Sequence, residues 1–146
     1  MWSSCVLEIS PEIAESVLLL KERLFILKEN LYFKLFAKLC LKLARNMNSY
    51  IVEQLLTNQY FFVGSTQQFV ADMNTVLNLF KWFDVHKNFK QLEECCTILQ
   101  MSNEKLLEIK GSTFNKESLL FNYNISKLTT SQLETLVNKI TTPKLN

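Results

Sequence analysis

Apolar residues recur along most of this chain at steps of three and four, the spacing of one helical face. Ser10-Pro11-Glu12 opens the first run with an N-cap, a proline at the first helical position and an acid where the helix dipole favours it. Ile13, Val17, Leu20, Leu24 and Leu27 then share one face, which predicts a helix over 11–28. Asn30 interrupts that pattern and is placed to cap the next helix, expected over 31–57. The stripe of this second helix reads Leu35, Leu39, Leu43, Met47, Tyr50 and Gln54, with Phe36, Cys40 and Ile51 beside it and Lys34, Lys38, Lys42 and Arg45 on the other side. From Asn58 to Gly64 the periodicity stops in a cluster of aromatics.

Ser65-Thr66-Gln67-Gln68 has the form of a capping box. It introduces a third helix over 66–83, with Phe69, Met73, Val76, Leu77 and Phe80 facing inward. A fourth helix, 88–100, carries Phe89, Leu92, Cys96 and Leu99. Ser102 caps a fifth over 103–110 that Gly111 stops, and the weakly patterned stretch 112–126 reads as loop. A last helix spans 130–140, with Ser131 and Glu134 at capping-box spacing, Leu133, Leu136 and Val137 inward, and Pro143 beyond its end.

Composition supports few, long elements. The chain has 146 residues but two glycines and two prolines, and strand-rich folds consume both at their many turns. The expectation is all-α: a single domain, 1–146, built as a bundle of about five to six helices. Sustained a/d heptads are missing, which argues against an extended coiled coil. The longest apolar run, Ser16 to Leu20, stops at Lys21-Glu22-Arg23, far short of the ~20 residues a membrane span requires.

Candidate chemistry is sparse. The lone histidine, His86, has no ligand-spaced cysteine or carboxylate and reads as a surface residue. Cys5, Cys40, Cys95 and Cys96 form no C-x-x-C pair, and with no secretory leader in view, reduced cytosolic thiols are expected. Cys95 and Cys96 point about 100° apart on a helix, so one is expected in the core and the other partly exposed. Glu12/Glu15 and Glu93/Glu94 are read as solvated pairs on polar faces. Gly64 and Gly111 stand too far apart for a phosphate loop. No enzyme activity, cofactor, metal or small-molecule substrate is expected.

Charge changes the picture in one place. Between Lys21 and Arg45 there are seven Lys or Arg against two Glu. The plain reading of Lys34, Lys38, Lys42 and Arg45 is a solvated outer face; the sharper one is a basic module that docks on anionic membrane or an acidic partner. A pI near 8.3 and the lack of a helix-turn-helix argue against nucleic acid. Tyr60, Phe61 and Phe62 cannot all face one core, so one of them is a candidate partner contact.

Several segments also resemble a known family. Asn88-Phe89-Lys90-Gln91-Leu92-Glu93-Glu94-Cys95-Cys96-Thr97-Ile98-Leu99 is similar to a segment near the C-terminus of the RINT/Tip family. Phe61-x-x-Gly64 with Gln68 and Asp72-Met73 fits the same family, as do Ile9-Ser10-Pro11-Glu12, Leu18 to Leu24, and Ile125-x-Lys127-Leu128. The match runs in order from about residue 7 to 140; Ser65 departs from the family's second glycine, which would stiffen a turn there. The resemblance implies a stacked helical rod of which this chain is the distal segment. It further implies a cytosolic subunit, peripheral to the endoplasmic reticulum, of the Dsl/NRZ complex that tethers Golgi-derived retrograde vesicles. The partners it implies are zeste-white-type tether subunits and syntaxin-class fusion proteins.

Overall fold

A computed structural model describes residues 11–58, 63–83, 86–111, 118 and 122–141. Among these residues the helices that can be bounded follow in order: α1 (Pro11–Asn30), α2 (Phe33–Asn58), α3 (Val63–Trp82), α4 (Lys90–Leu99), α5 (Asn103–Gly111) and α6 (Thr130–Thr141), with a 3-10 turn, His86–Phe89, leading into α4. Strands are absent among the described residues. The all-α bundle expected from periodicity is the observed architecture.

Local chemistry sets the boundaries, and several differ from expectation. Pro11 does open α1. Asn30 belongs to α1 instead of capping α2: its side-chain amide donates to the Ile26 carbonyl at 2.7 Å and closes the helix it ends. Helix α3 begins at Val63, ahead of the expected Ser65 cap. Gly64 and Ser65 are therefore helical, and the glycine corner of the family resemblance is not a turn. Ser102 caps α5 as expected, its Oγ accepting from the Lys105 amide at 3.3 Å. The capping box of α6 is Thr129 with Gln132, two residues before the expected Ser131 and Glu134. The Thr129 Oγ1 accepts from the Gln132 amide at 3.1 Å while the Gln132 Oε1 accepts from the Thr129 amide at 3.0 Å. Within the stretch expected to be loop, Ser118, Asn122 and Tyr123 are helical; Tyr123 holds this piece to α5 by donating its hydroxyl to Glu108 at 3.1 Å.

The core forms where α2, α3, α4 and α6 meet. Phe80 and Phe89 are fully buried, their ring centroids 4.9 Å apart, with Leu55, Leu92, Ile98, Leu133, Leu136 and Val137 around them. Each such side chain contributes roughly 1.5–3 kcal/mol on leaving water. α4 is the most deeply packed helix: Leu92, Glu94, Cys95, Cys96, Ile98 and Leu99 are all buried, and the side with Glu93 and Thr97 faces solvent. A smaller cluster joins Leu24 of α1 to Phe36 and Cys40 of α2, with Phe83 against it.

On α2 the buried stripe is displaced from the one the periodicity suggested, of which Leu43 and Met47 do pack half-buried against the core. Phe36, Cys40, Ala44, Asn48, Val52 and Leu55 are buried, while Leu35 is 56% exposed and Leu39 and Tyr50 also face out. The two stripes differ by one residue, a rotation of about 100°. The small Ala44 lets a neighbouring helix approach, and the polar Asn48 has an interior task.

Candidate functional site

A connected group of polar side chains lies where α2, α4 and the segment 124–129 meet. Asn48 projects from α2 toward the start of α4. Its Oδ1 accepts from the Leu92 amide at 3.1 Å, one of the first-turn N–H groups a helix leaves without an internal partner. Its Nδ2 donates to Gln91 Oε1 at 3.2 Å, and Gln91 Nε2 donates in turn to the Lys127 carbonyl at 3.2 Å. Asn48 thus caps a helix 44 residues away in sequence.

Glu94 completes the junction. Only 3% of it is exposed. Its carboxylate accepts three consecutive backbone amides: Ser126 at 3.1 Å, Lys127 at 2.9 Å and Leu128 at 2.9 Å, with the Ser126 hydroxyl at 3.4 Å. Charge-assisted bonds of this kind are about twice as strong as neutral ones. Asn124, just upstream, adopts a left-handed backbone (φ 57°), a conformation that asparagine tolerates better than most residues. The sequence reading of Glu94 as a solvated surface acid is therefore corrected: it is a buried staple. Glu12 and Glu15 are exposed, as read. Its neighbours Leu92, Cys95, Cys96 and Ile98 are buried, but Thr97 on the same helix is exposed, so the local sequence carries no signal that separates Glu94 from a solvated acid.

This arrangement binds the chain to itself. Both faces of the junction are filled by backbone groups of residues 126–128, so the Glu94 oxygens are not presented to a substrate. The segments Phe89–Leu99 and Ile125–Leu128, which carry the family resemblance separately in sequence, are one structural unit here.

The cysteines are equally inward. Cys95 and Cys96 are both buried, against the expectation that one would be partly exposed, because α4 is enclosed on both of the faces they occupy. Burial first, then the neighbouring Cys96 and Glu94, pushes the Cys95 thiol up to about 12; burial and Glu93 push Cys96 up to about 12 as well. Burial also raises Cys40. Such thiols are protonated and poor nucleophiles at neutral pH. Native labelling with a maleimide at pH 8 is expected to leave Cys40, Cys95 and Cys96 unmodified while denatured protein reacts at all three; rapid native modification of Cys95 or Cys96 would revive thiol chemistry. The same shift links to stability. Between about pH 9 and about 12 the unfolded chain loses thiol protons that the folded chain keeps, so the stability fully present below that window falls as pH rises through it.

The outer surface holds the other candidates. Lys34, Lys38, Lys42 and Arg45 are all exposed and run along the side of α2 opposite Phe36 and Cys40. The exposed Leu35, Leu39 and Tyr50 flank them. On α1, Leu18, Leu19 and Ile26 are also exposed. Tyr60, Phe61 and Phe62, and the side chain of His86, lie outside the described residues. Among the described residues no group of His, Cys, Asp and Glu is arranged to hold a metal ion, and no helix is long and apolar enough to cross a membrane. The depressions on the surface are open, such as one of about 540 Å³ lined by Thr97, Gln100, Lys105 and Tyr123.

The bundle uses its buried polar groups to join its own helices and leaves apolar side chains outside on α1 and α2. The sequence profile of the RINT-1/TIP-1 family matches residues 2–140, and the chain belongs to that family. Membership places it among vesicle-tethering subunits. No curated protein and no solved structure matches it significantly.

Proposed function

We propose that this chain serves an endoplasmic-reticulum tethering complex in Golgi-to-endoplasmic-reticulum retrograde transport, as a non-catalytic segment on the cytoplasmic side of that membrane. In this reading it acts through contacts with zeste-white-type tether subunits and syntaxin-class fusion proteins. Family membership supports it, and the single structural observation behind it is the exposed apolar row Leu35, Leu39 and Tyr50 on α2. Large apolar side chains grouped on an outer helix face are what a partner helix buries. Tyr60, Phe61 and Phe62 remain a second candidate contact.

A pull-down tests the proposal. The purified chain, offered a recombinant zeste-white-type subunit and the cytosolic part of a syntaxin-class fusion protein, is expected to retain at least one. Leu35→Asp with Tyr50→Asp is expected to weaken retention by about thirtyfold, the scale of a lost interface hot spot. Failure to enrich either class would overturn the reading.

A further inference from the structure

The end of the bundle where α1 turns into α2 carries an unusual surface. The turn presents Tyr32 and Phe33, rings 4.8 Å apart, with Phe33 69% exposed. At the same end α3 finishes on Trp82, 67% exposed, its ring 6.3 Å from that of Phe25. The ring pairs Phe25–Phe83 (5.5 Å) and Phe36–Phe83 (5.7 Å) join α1, α2 and the end of α3 at this end of the bundle.

Cations lie beside them. Lys21 lies 5.9 Å from the centre of the Trp82 ring. Lys28, Lys34 and Lys38 stand exposed on either side of the turn. Among the described residues Glu22 and Glu29 are the exposed acids of this corner, against Lys21, Lys28, Lys34 and Lys38, so the balance of these is basic.

We infer that this aromatic and basic corner docks on an anionic bilayer surface, with Tyr32, Phe33 and Trp82 entering the headgroup layer and the lysines facing acidic lipid. Two physical arguments favour a membrane over a folded partner. Tryptophan and tyrosine favour the boundary between headgroup and hydrocarbon, and lysine can lay its alkyl stem there while its ammonium stays wet. The exposed rings also sit on a helix turn and a helix end, not in a groove shaped for a segment of protein, and a soft surface needs no groove. The lysines supply the charge complementarity: each Lys near an anionic leaflet contributes an attraction that salt screens within a Debye length. This inference stands apart from the tether–partner reading, which concerns the outer row on α2.

Co-sedimentation of the full chain with vesicles tests it. Phosphatidylcholine vesicles with about 30% phosphatidylserine are expected to carry the chain down at low salt, and pure phosphatidylcholine vesicles to leave it in solution. Replacing Lys34 and Lys38 by Gln should lower binding about fivefold per lysine. Phe33→Ser with Trp82→Ser should abolish it while melting curves match the parent, since both side chains are exposed. In a Trp2→Phe background, Trp82 fluorescence should shift to the blue on adding anionic vesicles. Absence of binding, equal binding to neutral and anionic vesicles, or unchanged binding by the serine variants would each overturn the inference. So would capture of an acidic helical peptide at these residues without any vesicle binding.

Discussion

Glu94→Ala is expected to destabilise the fold by about 3–5 kcal/mol, because it leaves one buried and two partly buried backbone amides without their acceptor. Each orphaned amide costs roughly 1–3 kcal/mol, and some of that is recovered where water reaches the partly buried Ser126 and Lys127 amides. Set against the total stability of an ordinary domain, about 5–15 kcal/mol, the loss is large. Urea unfolding measures it, and amide exchange at Ser126, Lys127 and Leu128 should accelerate well before global unfolding. Glu94→Gln keeps one accepting oxygen but turns an N–H donor toward amides that need acceptors, so it should fall between alanine and the parent. A Glu94→Ala loss below about 1 kcal/mol would mean that segment 126–128 is held by packing alone.

Phe89→Ala carries the second large effect. The side chain is fully buried at the entry to α4 and its ring meets that of Phe80. Removing a buried phenylalanine leaves a cavity and costs about 3–5 kcal/mol. Phe89→Leu retains most of the apolar volume and loses the ring pair, worth about 0.5–1.5 kcal/mol beyond its area. The alanine variant should therefore melt far below the leucine variant in a thermal scan. Near-equal melting temperatures for the two would show that the site collapses around the smaller residue.

These two positions also show how much of the molecule could be read without coordinates. Phe89 belonged to the apolar period of its helix, so its burial followed from spacing. Glu94 did not, because a carboxylate on a helix normally faces water, and its partners lie 32 to 34 residues downstream. Asn48 is the same case at greater range. The capping box of α6 was sought two residues too late because Ser131/Glu134 and Thr129/Gln132 both satisfy the spacing, and local pattern does not choose between them.

α2 makes the division plainest. Its sequence alone determined that a long helix runs there, since good helix formers continue from Phe33 to Asn58 without glycine or proline. It also determined that lysines line one side and apolar residues the other. Which of two adjacent apolar stripes turns inward was decided only by tertiary structure. Burying Phe36, Cys40 and Ala44 together with Asn48 lets the helix pack closely and satisfies a free amide of α4, and that choice leaves Leu35, Leu39 and Tyr50 outside. Periodicity is a property of one helix; the face it buries depends on what the other helices require.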